Sequence, residues 1–146
     1  MMGGGWPRRG GFMTRDQSNP VNAKLCLVTG ASAGLGRATA SRLVGMEAHV
    51  VMVCRDRARG EVARDEIKSQ SKNESVDLML TDMSLLASVR SLAAEFGARY
   101  SKLDVLINNA AVVMSSRTVT PEGFERMFAT NYPGAVPSDA SADSLP

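Results

Sequence analysis

A short apolar run, Leu25-Cys26-Leu27-Val28, gives way to Thr29-Gly30-Ala31-Ser32-Ala33-Gly34-Leu35-Gly36 and then to Arg37-Ala38-Thr39-Ala40-Ser41-Arg42-Leu43-Val44. The first run reads as a buried strand and the last as a helix, so three glycines stand where a strand turns into a helix. A helix start offers unpaired backbone N–H groups and the positive end of the macrodipole, which suits a phosphate if no side chain intervenes. In that reading Gly30 permits the tight turn, Gly34 lets the backbone approach a pyrophosphate, and Gly36 lets the helix pack closely on the strand. The spacing is Gly-x-x-x-Gly-x-Gly, not the Gly-x-Gly-x-x-Gly of the dinucleotide fingerprint. A lone glycine cluster also suits a plain surface turn, so the weight falls on the rest of the chain.

Beyond the glycines, strand and helix patterns alternate. Strand patterns are read at Leu25 to Thr29, His49 to Cys54, Val76 to Leu80 and within Leu103 to Asn108. Helix patterns run from Gly34 to about Met46, from Arg57 to about Ser69, from Leu85 to about Tyr100 with Ser84 as N-cap, and from Pro121 to Thr130 or Asn131. Strands this apolar, separated by helices, predict an α/β fold: a Rossmann-like doubly wound parallel sheet, incomplete at about four strands in the order 3-2-1-4. The glycine loop then lies at the carboxyl edge of the sheet, where ligands bind.

Composition narrows the function. Seventeen Lys and Arg against fifteen Asp and Glu give no basic stripe for nucleic acid. No apolar run approaches the ~20 residues of a membrane helix. Cys26 and Cys54 fall in strands and read as small buried apolar residues, and with one histidine they make no metal site. Residues 1–21, with Gly3-Gly4-Gly5, Pro7 and Gly10-Gly11, read as a flexible leader. Arg8, Arg9 and Arg15 hint at a transit peptide, but serine is scarce and no amphipathic face is clear, so the default is cytoplasmic.

The second strand ends Val53-Cys54-Arg55-Asp56. An NAD site usually carries a carboxylate ~20 residues past the glycines, to bond the ribose 2′-hydroxyl. Here Cys54 and Arg55 stand at that point, and a guanidinium favours a 2′-phosphate. Arg37 could reach the same phosphate. The two arginines therefore argue for NADP over NAD; the bland alternative is two solvated surface charges.

Thr29-Gly30-x-x-x-Gly34-x-Gly36 resembles the signature of the short-chain dehydrogenase/reductase family. The resemblance implies cofactor contacts at Thr29, Gly30, Ser32, Gly34, Leu35, Gly36, Arg37 and Arg55. It further implies that Asp82 and Met83 of Thr81-Asp82-Met83 contact the adenine, although Asp82 also reads as a turn residue. Asn108-Asn109-Ala110-Ala111 is similar to the family's Asn-Asn-Ala-Gly, implying that Asn109 and Ala110 border the nicotinamide half, with Ala111 in place of the usual glycine. Thr130-Asn131 resembles the family's helix asparagine, implying a catalytic role for Asn131: its backbone carbonyl would hold a water of the proton relay. A C-terminal cap is the other reading. The resemblance runs from about Lys24 to Asn131. Val53-Cys54-Arg55-Asp56 and Asp82-Met83-Ser84-Leu85-Leu86-Ala87-Ser88-Val89-Arg90 look most like the retinol-dehydrogenase-like, NADP-preferring branch.

Family chemistry is hydride transfer between nicotinamide and a small-molecule carbonyl or alcohol. Its acid is a tyrosine activated by a lysine four residues on, because a phenol titrates near pKa ~10 unaided. Here Tyr100 is followed at that spacing by Asp104 and Tyr132 by Val136. Residues 133–146 have the composition of a disordered tail after a domain spanning 22–132. These features predict a C-terminally truncated member, inactive and no homo-oligomer by itself. Three functions remain open: an NADP-dependent oxidoreductase by family, a non-catalytic nucleotide-binding module or partner, and a non-functional product.

Overall fold

The computed structural model describes residues 20–132. Four parallel strands form one sheet: β1 (Leu25–Thr29), β2 (His49–Cys54), β3 (Val76–Leu80) and β4 (Val105–Ile107), in the spatial order β3-β2-β1-β4. Four helices separate or succeed them: α1 (Gly34–Val44), α2 (Arg57–Ser71), α3 (Leu86–Arg99) and α4 (Arg126–Asn131). The Rossmann-like sheet order expected from the alternation is the observed one. Of the leader expected over residues 1–21, residues 1–19 lie outside the described residues, as does the tail expected over 133–146, whereas Val21 packs on the core.

Side chains alternate across the pleat and build two cores. Cys26, Val28, Val50, Met52, Cys54 and Val76 face α1 and α2, which contribute Ala40, Val44, Ala63 and Ile67. Leu25, Leu27, Val51, Val53 and Met79 face α3, which contributes Leu92. Burial on both faces explains why β1 and β2 read as unbroken apolar runs. Both cysteines are free and buried, and burial pushes their thiols up, so they act as small apolar residues.

The carboxyl half departs from the sequence reading in two places. The last helix starts at Arg126, not Pro121, because Gly123 takes φ +89° in a turn where its N–H bonds the Thr120 carbonyl at 2.9 Å. Glu125 then caps the helix, accepting from the Met127 and Phe128 amides. Ser84 does not cap α3. Its hydroxyl and amide bond Asp82, while Glu122 accepts from the Leu86 and Ala87 amides at 2.7 and 2.9 Å. β4 falls within the expected Leu103 to Asn108; it spans three residues at the sheet edge and leaves Leu106 54% exposed. Beside it, Leu27, Leu103, Leu106, Phe124 and Tyr132 line an apolar groove of about 1000 Å³ against α3.

Burial sets the expected mutational contrast. Met52→Ala, at a fully buried site, should cost about 2–5 kcal/mol in denaturant unfolding. Leu106→Lys should stay within about 0.5 kcal/mol and reduce aggregation through the edge strand.

Candidate functional site

The candidate site is the carboxyl edge of the sheet, where β1 runs into α1 and where β2, β3 and β4 end. The Thr29 side chain organises it. Thr29 is 2% exposed, and its hydroxyl accepts from the Asn109 and Ala110 amides, both at 3.0 Å, while donating to the Ile107 carbonyl at 3.4 Å. In return the Asn109 side-chain amide donates to the Thr29 and Gly30 carbonyls at 3.0 and 3.3 Å. The loop after β1 and the loop after β4 are thereby tied by side chains where the ladder stops. The Gly30 and Ala31 amides bond the Val53 carbonyl and fasten the loop to β2.

The three glycines answer different demands. Gly30 has φ +68°, and a Cβ there would lie 2.8 Å from the Ala110 Cα. A Cβ on Gly36 would lie 2.3 Å from the Asn109 side-chain amide nitrogen and 2.4 Å from the Gly30 carbonyl oxygen, so Gly36 is what lets α1 sit against the brace. Gly34 has φ +55° and nothing within 4 Å of where its Cβ would be. Its backbone therefore faces open space, as a phosphate approach requires.

The start of α1 is electrostatically bare. Asp56, Glu122 and Glu125 place carboxylates at the starts of α2, α3 and α4. At α1 the N-cap is Ala33, no side chain among the described residues bonds the first turn, and that turn holds no acid. Leu35 is 76% exposed beside it, and half-buried Ser32 stands next to the Cys54 thiol.

The remaining candidates surround this turn. Arg55 is exposed directly after β2. Arg37 is engaged: its guanidinium pairs with Glu66 of α2. Burial raises the Asp82 carboxyl, but the Ser84 hydroxyl and amide and the charges of Arg55 and Arg126 outweigh it and hold Asp82 below the usual carboxylate range. Met83 is half-buried against the α3 core. The Thr81 hydroxyl, in a residue 4% exposed, has no hydrogen-bond partner among the described residues. Thr81 escaped the sequence reading because nothing in its neighbours marks a buried hydroxyl. Asn131 ends α4, and its side chain bonds the Val112 backbone in both directions at 2.8 Å. That pairing ties α4 to the segment after Ala110 and leaves the side chain no part in capping the helix.

The parallel sheet and its glycine turn define a doubly wound α/β domain of Rossmann type. The family profile described as short chain dehydrogenase matches residues 24–141, and the chain belongs to that family. Within it the chain is retinol-dehydrogenase-like: it is 39% identical over 125 residues to retinol dehydrogenase 12 of Mus musculus, covering 86% of this chain and 39% of that protein. The chain thus spans about two fifths of the length of that relative. Among solved structures, a metagenomic short-chain oxidoreductase in complex with NADP superposes with a TM-score of 0.65 at 29% identity, over 76% of this chain and 51% of that one. A short-chain dehydrogenase from Sphingobium yanoikuyae in complex with NADPH gives 0.63 at 27% identity, over 75% and 43%.

The brace and the acid each carry an expected outcome. Thr29→Val keeps the shape but leaves two amides unpaired, and should cost about 1–3 kcal/mol in denaturant unfolding. Asp82 has a depressed folded pKa, so its contribution is present above the unfolded value of ~3.9 and lost as pH falls through the lower folded value. Melting temperatures of the native chain and of Asp82→Asn should therefore differ at pH 6 and converge at the acid end.

Proposed function

We propose that this chain forms the adenosine and pyrophosphate half of the NADP site of an oxidoreductase, one that moves hydride between a nicotinamide and a carbonyl or alcohol. One observation carries the reading: the bare start of α1, opened by Gly34 and held in place by the Thr29–Asn109 brace. The cofactor supplies the hydride carrier when bound. The chain's own residues do the holding. The amides of Gly34, Leu35 and Gly36 take the pyrophosphate. Arg55 meets the 2′-phosphate, joined by Arg37 once it leaves Glu66. Asp82 and Met83 border the adenine, with the orphan Thr81 hydroxyl nearby in sequence to accept a polar contact. Ser32 and Gly30 shape the turn, Asn109 and Ala110 border the nicotinamide half, and the Asn131 carbonyl holds a relay water. Two solved relatives in complex with NADP or NADPH support this choice of cofactor. The retinol dehydrogenase likeness favours a hydrophobic alcohol or aldehyde as substrate.

A second reading, a nucleotide-binding module without turnover, is favoured by one observation. No tyrosine of these 146 residues has a lysine four positions on. Purified as it stands, the chain should bind the dinucleotide and show no turnover with NADPH and a panel of carbonyls; clear turnover would remove the second reading. No described helix is long and apolar enough to cross a membrane.

Thermal melting tests the binding. At a hundredfold excess over Kd, a ligand of the folded state adds about 2.7 kcal/mol, roughly 10 °C for a domain of this size. NADP⁺ should raise the transition well above NAD⁺, and Arg55→Ala should erase the difference. Equal shifts with both nucleotides would overturn the NADP assignment, and no shift with either would overturn the site.

A further inference from the structure

The three long helices are not held alike. α1 buries Gly36, Ala40 and Val44, and α2 buries Gly60, Ala63 and Ile67. α3, fourteen residues long, fully buries Leu92 alone; Leu86, Ser88, Val89 and Phe96 are half-buried, as is Tyr100 just beyond it, and the Ser88 hydroxyl accepts from the Asp82 amide near the helix start. Gly97 lies inside the helix with nothing within 4 Å of its absent Cβ, so it lowers the intrinsic helicity without serving a close contact.

What α3 lacks in buried surface it gains in polar contacts at its two ends. At the start, both oxygens of Glu122 accept from the Leu86 and Ala87 amides at 2.7 and 2.9 Å, across 36 and 35 residues of sequence. At the other end, the Tyr100 hydroxyl donates to Asp77 Oδ2 of β3 at 2.6 Å. The same oxygen meets His49 Nε2 of β2 at 2.7 Å, and the His49 and Tyr100 rings pack edge to face with centroids 5.7 Å apart. Each clasp joins α3 to a segment distant in sequence. Between the clasps, the helix forms one wall of the apolar groove through Leu86, Val89, Ala93 and Phe96, opposite Leu103 and Leu106.

We propose that α3 is a strap: it opens as a unit when its two end clasps release, and its docking sets the width of the apolar groove. A helix fastened by contacts at its ends and by one buried side chain between them belongs to the low-stability end of a fold, whereas β1 and β2, buried on both faces, belong to the high end. The clasp residues lie apart from the glycine turn, so the strap stands whether or not the chain binds a nucleotide.

Native-state hydrogen exchange on the full chain, resolved by residue, tests this. In the unaltered protein, amides from Val89 to Tyr100 should exchange as a group and at least tenfold faster than Val50 to Val53 of β2. Tyr100→Phe removes one hydroxyl and keeps the ring on Phe96. It should speed α3 exchange by roughly tenfold and leave β2 unchanged, and Glu122→Ala should do the same. Met52→Ala, a core control, should speed both groups together. The proposal is overturned if α3 and β2 exchange at one rate in the unaltered protein. It is equally overturned if the clasp variants leave α3 unchanged or accelerate both groups alike.

Discussion

One hydroxyl holds the functional edge together. Thr29 ends β1, where the parallel ladder stops supplying backbone partners, and its oxygen takes over by accepting two amides from the loop after β4. Asn109 returns the contact through its own side chain. The Thr29 side of this exchange is buried, and losing it leaves half-buried donors unpaired. Two glycines of the edge depend on it. Gly30 must be glycine because Ala110 is drawn against it, and Gly36 must be glycine because the Asn109 amide and the Gly30 carbonyl occupy the place of its Cβ.

The brace fixes where α1 begins, and charge decides what that start can receive. Three helices have first-turn amides satisfied by Asp56, Glu122 and Glu125. α1 alone among the described helices has neither a capping side chain nor an acid in its first turn, and there Gly34 keeps the approach clear. A macrodipole facing open space, with Arg55 exposed after the neighbouring strand, favours an anion with a second negative group. The Arg37–Glu66 pair tempers this: a 2′-phosphate would have to compete with a carboxylate for that guanidinium.

Much of this was legible in the sequence because it is local. The apolar runs of β1, β2 and β3 begin and end where the strands do, and the sheet order comes from crossovers between parallel strands. The strand-glycine-helix turn needed only spacing. What misled was long-range or context-bound. Ser84 has the chemistry of an N-cap, yet Glu122 does that work from a loop whose position depends on the whole fold. Pro121 has the chemistry of a first turn, yet the Thr120–Gly123 turn holds the chain back until Arg126. The pairing of Arg37 with Glu66 of the next helix also could not be read from either residue alone, and it leaves the phosphate expectation for Arg37 standing.

Backbone amide NMR during titration with NADP⁺ tests most directly whether the braced, uncapped start of α1 is an anion site for a dinucleotide. Gly34, Leu35 and Gly36 should show the largest amide shifts, and Thr29→Val should weaken them. Saturable shifts centred instead on the apolar groove at Leu103 and Leu106, with Gly34 to Gly36 unmoved, would contradict that assignment.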